Sequence, residues 1–376
     1  MIRIVEKKEC CGCAACEQKC PKKCITLHED NEGFLFPQID TTKCIECGLC
    51  EKVCPEKNKT SQHTPYYTYV MKHPSLEVQQ NSSSGGFATF LSEKIIDLGG
   101  VVFGSKFNER WEVEHDYCVD KKKLSTFRGS KYVQSIIGNT FCKAEQFLKE
   151  GKIVLFTGTP CQIHGLNLFL GKEYDNLICM DFACHGVPSP LAFKIYIDKK
   201  FGRQNIKKIN FRDKSISTKY FSLKIDYSVD GKETEYKKSL LKDPYLIGFI
   251  HNIYLRDSCT DCPSKGFISN ADFTCGDIFD INKCYPEYED KHGMSVFTVN
   301  TEKGKYLFEK MGLSSFSQIV DFNKVYQYNK AFYKSVERHA FHHLFFKLLG
   351  KVRFGALVFF IRVLNKLYKG LNLGKK

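Results

Sequence analysis

Two stretches of the chain are dense in thiols, CCGCAACEQKC at residues 10–20 and CIECGLCEKVC at 44–54. Each follows the spacing C-x2-C-x2-C-x3-C-P: Cys10, Cys13, Cys16 and Cys20 before Pro21, then Cys44, Cys47, Cys50 and Cys54 before Pro55. Iron–sulfur cubes take soft thiolate ligands, and a run of this spacing wraps three corners of one cube while sending its fourth cysteine to another. The expectation is two 4Fe-4S clusters, one on Cys10, Cys13, Cys16 and Cys54 and the other on Cys44, Cys47, Cys50 and Cys20. Gly12, Ala14, Ala15 and Gly48 lie between ligands, where small residues let backbone amides approach the sulfurs. A pair of zinc ribbons would also use C-x2-C pairs, but has no role for the third cysteine or the x3-C-P ending. Cys11 and Cys24 fall outside the pattern and read as small buried hydrophobes.

The rest of the chain must position and use these groups. With 376 residues, 43% of them apolar, it is globular and long enough for two or three units. Nineteen cysteines in a chain of this length point to metal or redox chemistry rather than a secreted disulfide scaffold. MIRIVEKKEC at the start has no apolar run of the signal-peptide kind. A cytoplasmic location is therefore expected. The net charge of +14 is compatible with an acidic partner, nucleic acid or an anionic membrane surface.

EKNKTSQHTP after Pro55 reads as a linker ending the first unit near residue 60. From Tyr66 the pattern alternates: strands at YYTYVM, VVFGSKF, KIVLF and LICMDF, with helices at GFATFLSEKIIDLG, FCKAEQFLKEG, Gln162–Leu170 and PLAFKIYIDKKF. That order predicts an α/β domain with a helix-covered sheet. Residues 206–240 read as short strands of an antiparallel insertion.

No G-x-G-x-x-G follows a strand, so the usual dinucleotide fingerprint is absent. NSSSGGF precedes a helix and reads either as a capped helix start or as an anion site suited to a pyrophosphate. KIVLFTGTPCQIHG and MDFACHG each end a strand in a cysteine-bearing loop, and CTDC adds Cys259 and Cys262. Loops leaving the carboxyl ends of sheet strands are where α/β domains bind ligands. On the residues alone, these four thiols are either scattered or one four-thiolate site.

The chain resembles the coenzyme F-420 hydrogenase/dehydrogenase beta-subunit family. The resemblance rests on SSGG at 83–86, GSKYVQS at 129–135, GTPCQIHGL at 158–166, CHGVPSP at 184–190, SCTDC at 258–262 and GDIFDI at 276–281. It covers about residues 66–310, and a two-cluster module is a common companion in this family. It implies FAD beside one further 4Fe-4S cluster, held at the matching positions by Cys161, Cys184, Cys259 and Cys262. It also implies flavin contacts from Ser83, Ser84, Gly85 and Gly86, from Lys131 and Tyr132, and from Gly158, Thr159, Pro160 and Gln162. Lys131 is the candidate catalytic charge near the flavin or substrate, against the alternative of a solvated surface lysine. His185 would pack or hydrogen-bond beside a ligand. Many relatives carry a tryptophan in a GDFWG-like segment and an arginine shortly before it. Here stand Ile278, Phe279 and FISNADFT, which leaves the use of coenzyme F-420 open.

The expected architecture is an α+β ferredoxin-like dicluster module at 1–60, an α/β FAD-binding domain with a small antiparallel insertion at 66–335, and a helical tail at 336–376. In the tail Lys347, Lys351, Arg362, Lys366 and Lys369 fall near one helix face, opposite apolar residues. Such a helix suits an anionic surface at the inner face of the membrane, or docking on the domain or a second subunit. No base-stacking module accompanies the charge, so nucleic acid is not expected. The expected function is an iron–sulfur flavin oxidoreductase with three 4Fe-4S clusters and FAD. It would exchange electrons with a ferredoxin or other donor and act on a small molecule or hydride carrier. The rival is a non-catalytic electron-transfer subunit of a hydrogenase or dehydrogenase complex. A role in cell-surface polysaccharide assembly, a setting of bacterial relatives, rests on the tail alone.

Overall fold

Three cysteines within seven residues, with small residues between them, draw each cysteine run into a tight loop. In the computed structural model, which describes residues 1–278, 281–288 and 292–373, the backbone turns through left-handed conformations at Gly12, Ala14, Glu46 and Gly48. Short helices follow, α1 (Ala15–Lys19) and α2 (Leu49–Lys52). Between them β1 (Ile25–Glu29) and β2 (Leu35–Ile39) pair as an antiparallel hairpin.

The larger part runs β3 (Tyr67–Met71), α3 (Leu76–Asn81), α4 (Phe87–Asp97), β4 (Val101–Phe107), β5 (Val113–Cys118), α5 (Thr140–Lys149), β6 (Val154–Thr157), α6 (Pro160–Leu170), β7 (Leu177–Phe182) and α7 (Pro190–Phe201). It continues with β8 (Ile206–Asp213), β9 (Ser222–Val229), β10 (Lys232–Ser239), α8 (Pro244–Ile250), β11 (Phe273–Asp277), α9 (Ile281–Cys284), β12 (Ser295–Val299), α10 (Glu302–Lys310), β13 (Gln318–Ile319) and α11 (Phe322–Tyr328). Two helices end it, α12 (His342–Leu348) and α13 (Phe354–Leu373).

The result is a mixed α/β protein. One sheet of eight strands has the order β13-β3-β12-β11-β7-β6-β4-β5. Its centre, β11, β7, β6 and β4, is parallel. β6 and β7 are buried on both faces, which accounts for their unbroken apolar runs. Antiparallel strands extend both sides: β5 on β4, and β12, β3 and β13 beyond β11. β8, β9 and β10 form a separate antiparallel sheet.

One apolar cluster joins the two cysteine-rich loops to the large sheet, with Cys13, Ala15 and Ile25 packed among Phe141, Leu166 and Phe169. The isoleucine, leucine and phenylalanine side chains among them contribute roughly 1.5–3 kcal/mol each when buried. The tail is continuous with the rest of the fold: Phe345, Phe354, Leu357, Val358 and Ile361 share a core with Tyr196, Tyr245 and Tyr254. It also reaches the first module, since His342 Nε2 lies 3.2 Å from Glu32, which Lys7 meets at 3.1 Å.

Candidate functional site

The thiols fall into three neighbourhoods. Cys10, Cys13, Cys16 and Cys54 are close enough to feel one another's charge. Cys20, Cys44, Cys47 and Cys50 line one small recess together with Gly48. Amides point at these sulfurs, Ile2 N at 3.3 Å from Cys50 Sγ and Cys24 N at 3.4 Å from Cys20 Sγ. Such donors stabilise thiolate and cluster charge, so the residues present fit cubes. Cys24 is buried in the apolar cluster shared with the large sheet, and its Sγ stands 3.3 Å from Cys20 Sγ. Among the described residues no three Cys, His, Asp or Glu side chains close on the position of a single ion.

The third neighbourhood is built by tertiary structure. Cys161 sits in the first turn of α6, where Thr159 and Gln162 cap the helix reciprocally and Thr159 N donates to Gln162 Oε1 at 2.9 Å. Cys184 follows β7, Cys259 lies in the 3-10 turn Asp257–Asp261, and Cys262 ends that turn. The four sulfurs influence one another. Burial, and then the charge of a neighbouring thiol, pushes Cys259 and Cys262 up to about 12. Val187 N donates to Cys259 Sγ at 3.4 Å.

Two features bring this site against the first module. The Cys11 thiol contacts both Cys13 and Cys161. Helix α6 also approaches so closely that a Cβ on Gly165 would stand 2.9 Å from Cys13 Sγ. Only glycine allows that approach.

A cavity of about 580 Å³ opens beside the third set, with Cys184 in its wall. Ser83, Ser84, Gly86, Lys131, Tyr132, Gly158, Thr159 and Gln162 line it. Gly85 and Pro160 do not. Gly85 is instead pressed on the sheet, where a Cβ would fall 2.4 Å from Ser295 N and 2.5 Å from Met71 O. Ser83 Oγ is 2.7 Å from Ser130 Oγ, and Ser84 Oγ 2.8 Å from Ser295 Oγ, so hydrogen bonds hold the serine loop on its neighbours.

Lys131 faces the cavity, with Nζ 3.2–3.4 Å from the carbonyls of Phe127, Arg128 and Gly129. Burial pushes its ammonium down to about 7. Tyr132 stacks on Phe249 with ring centroids 4.5 Å apart. Its hydroxyl accepts from Arg212 Nη1 at 3.3 Å, and the same guanidinium pairs with Asp277. His185 bonds Asn252 at 2.7 Å and also lines the cavity. Ile278 is buried, whereas Phe279 lies outside the described residues.

Several of these groups were not evident from the sequence. Arg212 and Asp277 meet across different sheets. Arg256 is fully buried and donates to Cys10 O at 2.7 Å, Leu35 O at 2.8 Å and Gln134 Oε1 at 2.9 Å, with Nη2 3.5 Å from Cys10 Sγ. Its place three residues before Cys259 was the one available signal.

Residues 151–324 match the family model for the carboxyl-terminal part of the coenzyme F420 hydrogenase/dehydrogenase beta subunit. Residues 9–58 match a 4Fe-4S dicluster domain. Among solved structures, a chain of the F420-reducing [NiFe] hydrogenase complex from Methanosarcina barkeri, studied by xenon derivatization, aligns at 14% identity and a TM-score of 0.47. The alignment covers 77% of this chain and 89% of that one. No curated protein matches the chain.

Proposed function

We propose that this chain, whose residues 151–324 match the carboxyl-terminal part of coenzyme F420 hydrogenase/dehydrogenase beta subunits behind a 4Fe-4S dicluster module, is an iron–sulfur flavin-dependent oxidoreductase. The observation that carries this reading is Cys184, which belongs to the third thiol set and also forms part of the cavity wall. Cys161, Cys184, Cys259 and Cys262 would hold the third cube. The cavity's volume is within the usual range for a cofactor site. The start of α4, Arg128 and Lys131 offer donors and positive charge for a pyrophosphate, and Tyr132, Phe127 and Phe249 offer ring faces. When bound, cubes supply single electrons and a flavin pairs them for hydride transfer. The residues themselves would orient the ring, exclude water along the Phe127 and Phe249 walls, and set charge at Lys131.

Protein purified without oxygen is expected to contain about twelve irons, with matching acid-labile sulfide, and one FAD per chain. About eight irons without flavin would leave only the dicluster module and remove this reading. Turnover by the isolated chain with reduced ferredoxin would separate an enzyme from a passive subunit.

Lys131 gives a pH test. Because its ammonium titrates at about 7, binding of an anionic cofactor takes up a proton above that pH. FAD affinity should then fall as pH rises beyond 7, approaching about tenfold per unit. Fluorescence titrations between pH 6 and 9 would measure it, and Lys131→Met should flatten the profile. An equal slope in that variant would show that another group binds the proton.

The electron donor, the small-molecule substrate or hydride carrier, and a role in polysaccharide assembly belong to the same proposal. The last has support only from the basic tail.

A further inference from the structure

Helix α13 presents two apolar stripes, and the fold uses one. Phe354, Leu357, Val358 and Ile361, spaced i, i+3, i+4 and i+7, are buried against α8 and its neighbours. On the opposite side Phe359, Phe360, Val363 and Leu367 are exposed, Phe359 by 67% and Leu367 by 60%. A third stripe, Arg362, Lys366 and Lys369, is also exposed and runs beside them.

We propose that this outer face docks on an anionic membrane surface, lying in the interface with its phenylalanines inserted and its cations among headgroups. The inference is independent of the oxidoreductase reading. It rests on charge as well as apolar exposure. From Arg338 to the end the sequence has nine lysines and arginines and no Asp or Glu. A second copy of the chain is a poorer occupant, because a two-fold interface sets the same patch against itself and would bring these cations together. An anionic bilayer complements both components: apolar area for the rings and negative charge for the basic edge. Among the described residues no helix is long and apolar enough to cross a membrane, so contact would be at the surface.

The test is co-sedimentation of the full chain with phosphatidylcholine vesicles, with and without about one-third phosphatidylglycerol. Binding is expected only to the anionic vesicles and should weaken with added salt. Phe359→Ser with Phe360→Ser, and separately Lys366→Glu with Lys369→Glu, should each reduce it by on the order of tenfold. All four side chains are exposed, and unchanged iron content and circular dichroism would verify the fold. Equal binding to both vesicle types, or to neither, would overturn the proposal. So would concentration-dependent dimerisation abolished by the phenylalanine variant, which would assign the face to a second copy.

Discussion

Replacing Cys184 by serine is expected to remove about four irons per chain, one cube's complement, while the dicluster module stays loaded. A hydroxyl is a poor substitute for a thiolate on iron, and the other three thiols of the set come from two other segments: Cys161 on α6, and Cys259 and Cys262 in and at the end of the 3-10 turn Asp257–Asp261. Cys275→Ser supplies the control, because Cys275 also faces the cavity but belongs to none of the three sets. Iron and sulfide analysis with low-temperature EPR of reduced protein would read both variants. Unchanged iron in Cys184→Ser would end the four-thiolate assignment, and equal loss in Cys275→Ser would make the effect one of general disruption.

Arg256→Gln should have the next largest effect, on stability and on potential together. The wild-type guanidinium satisfies Cys10 O, Leu35 O and Gln134 Oε1, and stacks over Phe36 at 4.4 Å. A glutamine cannot reach all three acceptors. Each buried acceptor left unpaired costs about 1–3 kcal/mol, so a loss of roughly 3–5 kcal/mol is expected in denaturant unfolding. The charge matters separately. With Nη2 at 3.5 Å from Cys10 Sγ, Arg256 favours the more negative, reduced state of a cluster bound there, and its removal should shift the midpoint potential downward. Arg256→Lys keeps the charge but not the planar fork. It should lose stability while holding the potential nearer to wild type. Loss of stability in both variants with no movement of potential would make Arg256 a structural clamp only.

How much of this could be read from the residues depended on how local the signal was. Both cysteine runs are legible because three cysteines of each sit within seven residues, and β6 and β7 because a strand buried on both faces is apolar throughout. The small antiparallel sheet was also foreseeable, as residues 206–240 read as a series of short strands. The far side of the large sheet was not. β11, β12 and β3 are brought together from residues 273–277, 295–299 and 67–71, and a strand's own composition does not identify its neighbour. The same limit hid Arg256, whose acceptors lie more than one hundred residues away, and the Arg212–Asp277 pair. Gly85 illustrates the converse. Its motif pointed to ligand contact, yet the space it occupies is needed by Ser295 and Met71.

The shared core between the cysteine loops and the sheet bears on how electrons could travel. A module on a flexible tether would act as a swinging arm, with transfer gated by how often it visits its acceptor. Here Ala15, Leu166 and Phe169 lie in one apolar cluster, and sliding them apart would expose that surface to water. The Cys11 thiol spans the seam between Cys13 and Cys161. With the proposed third cube in place, the arrangement would be a fixed wire, its tunnelling distances set at folding and its rate tuned by driving force rather than by domain diffusion.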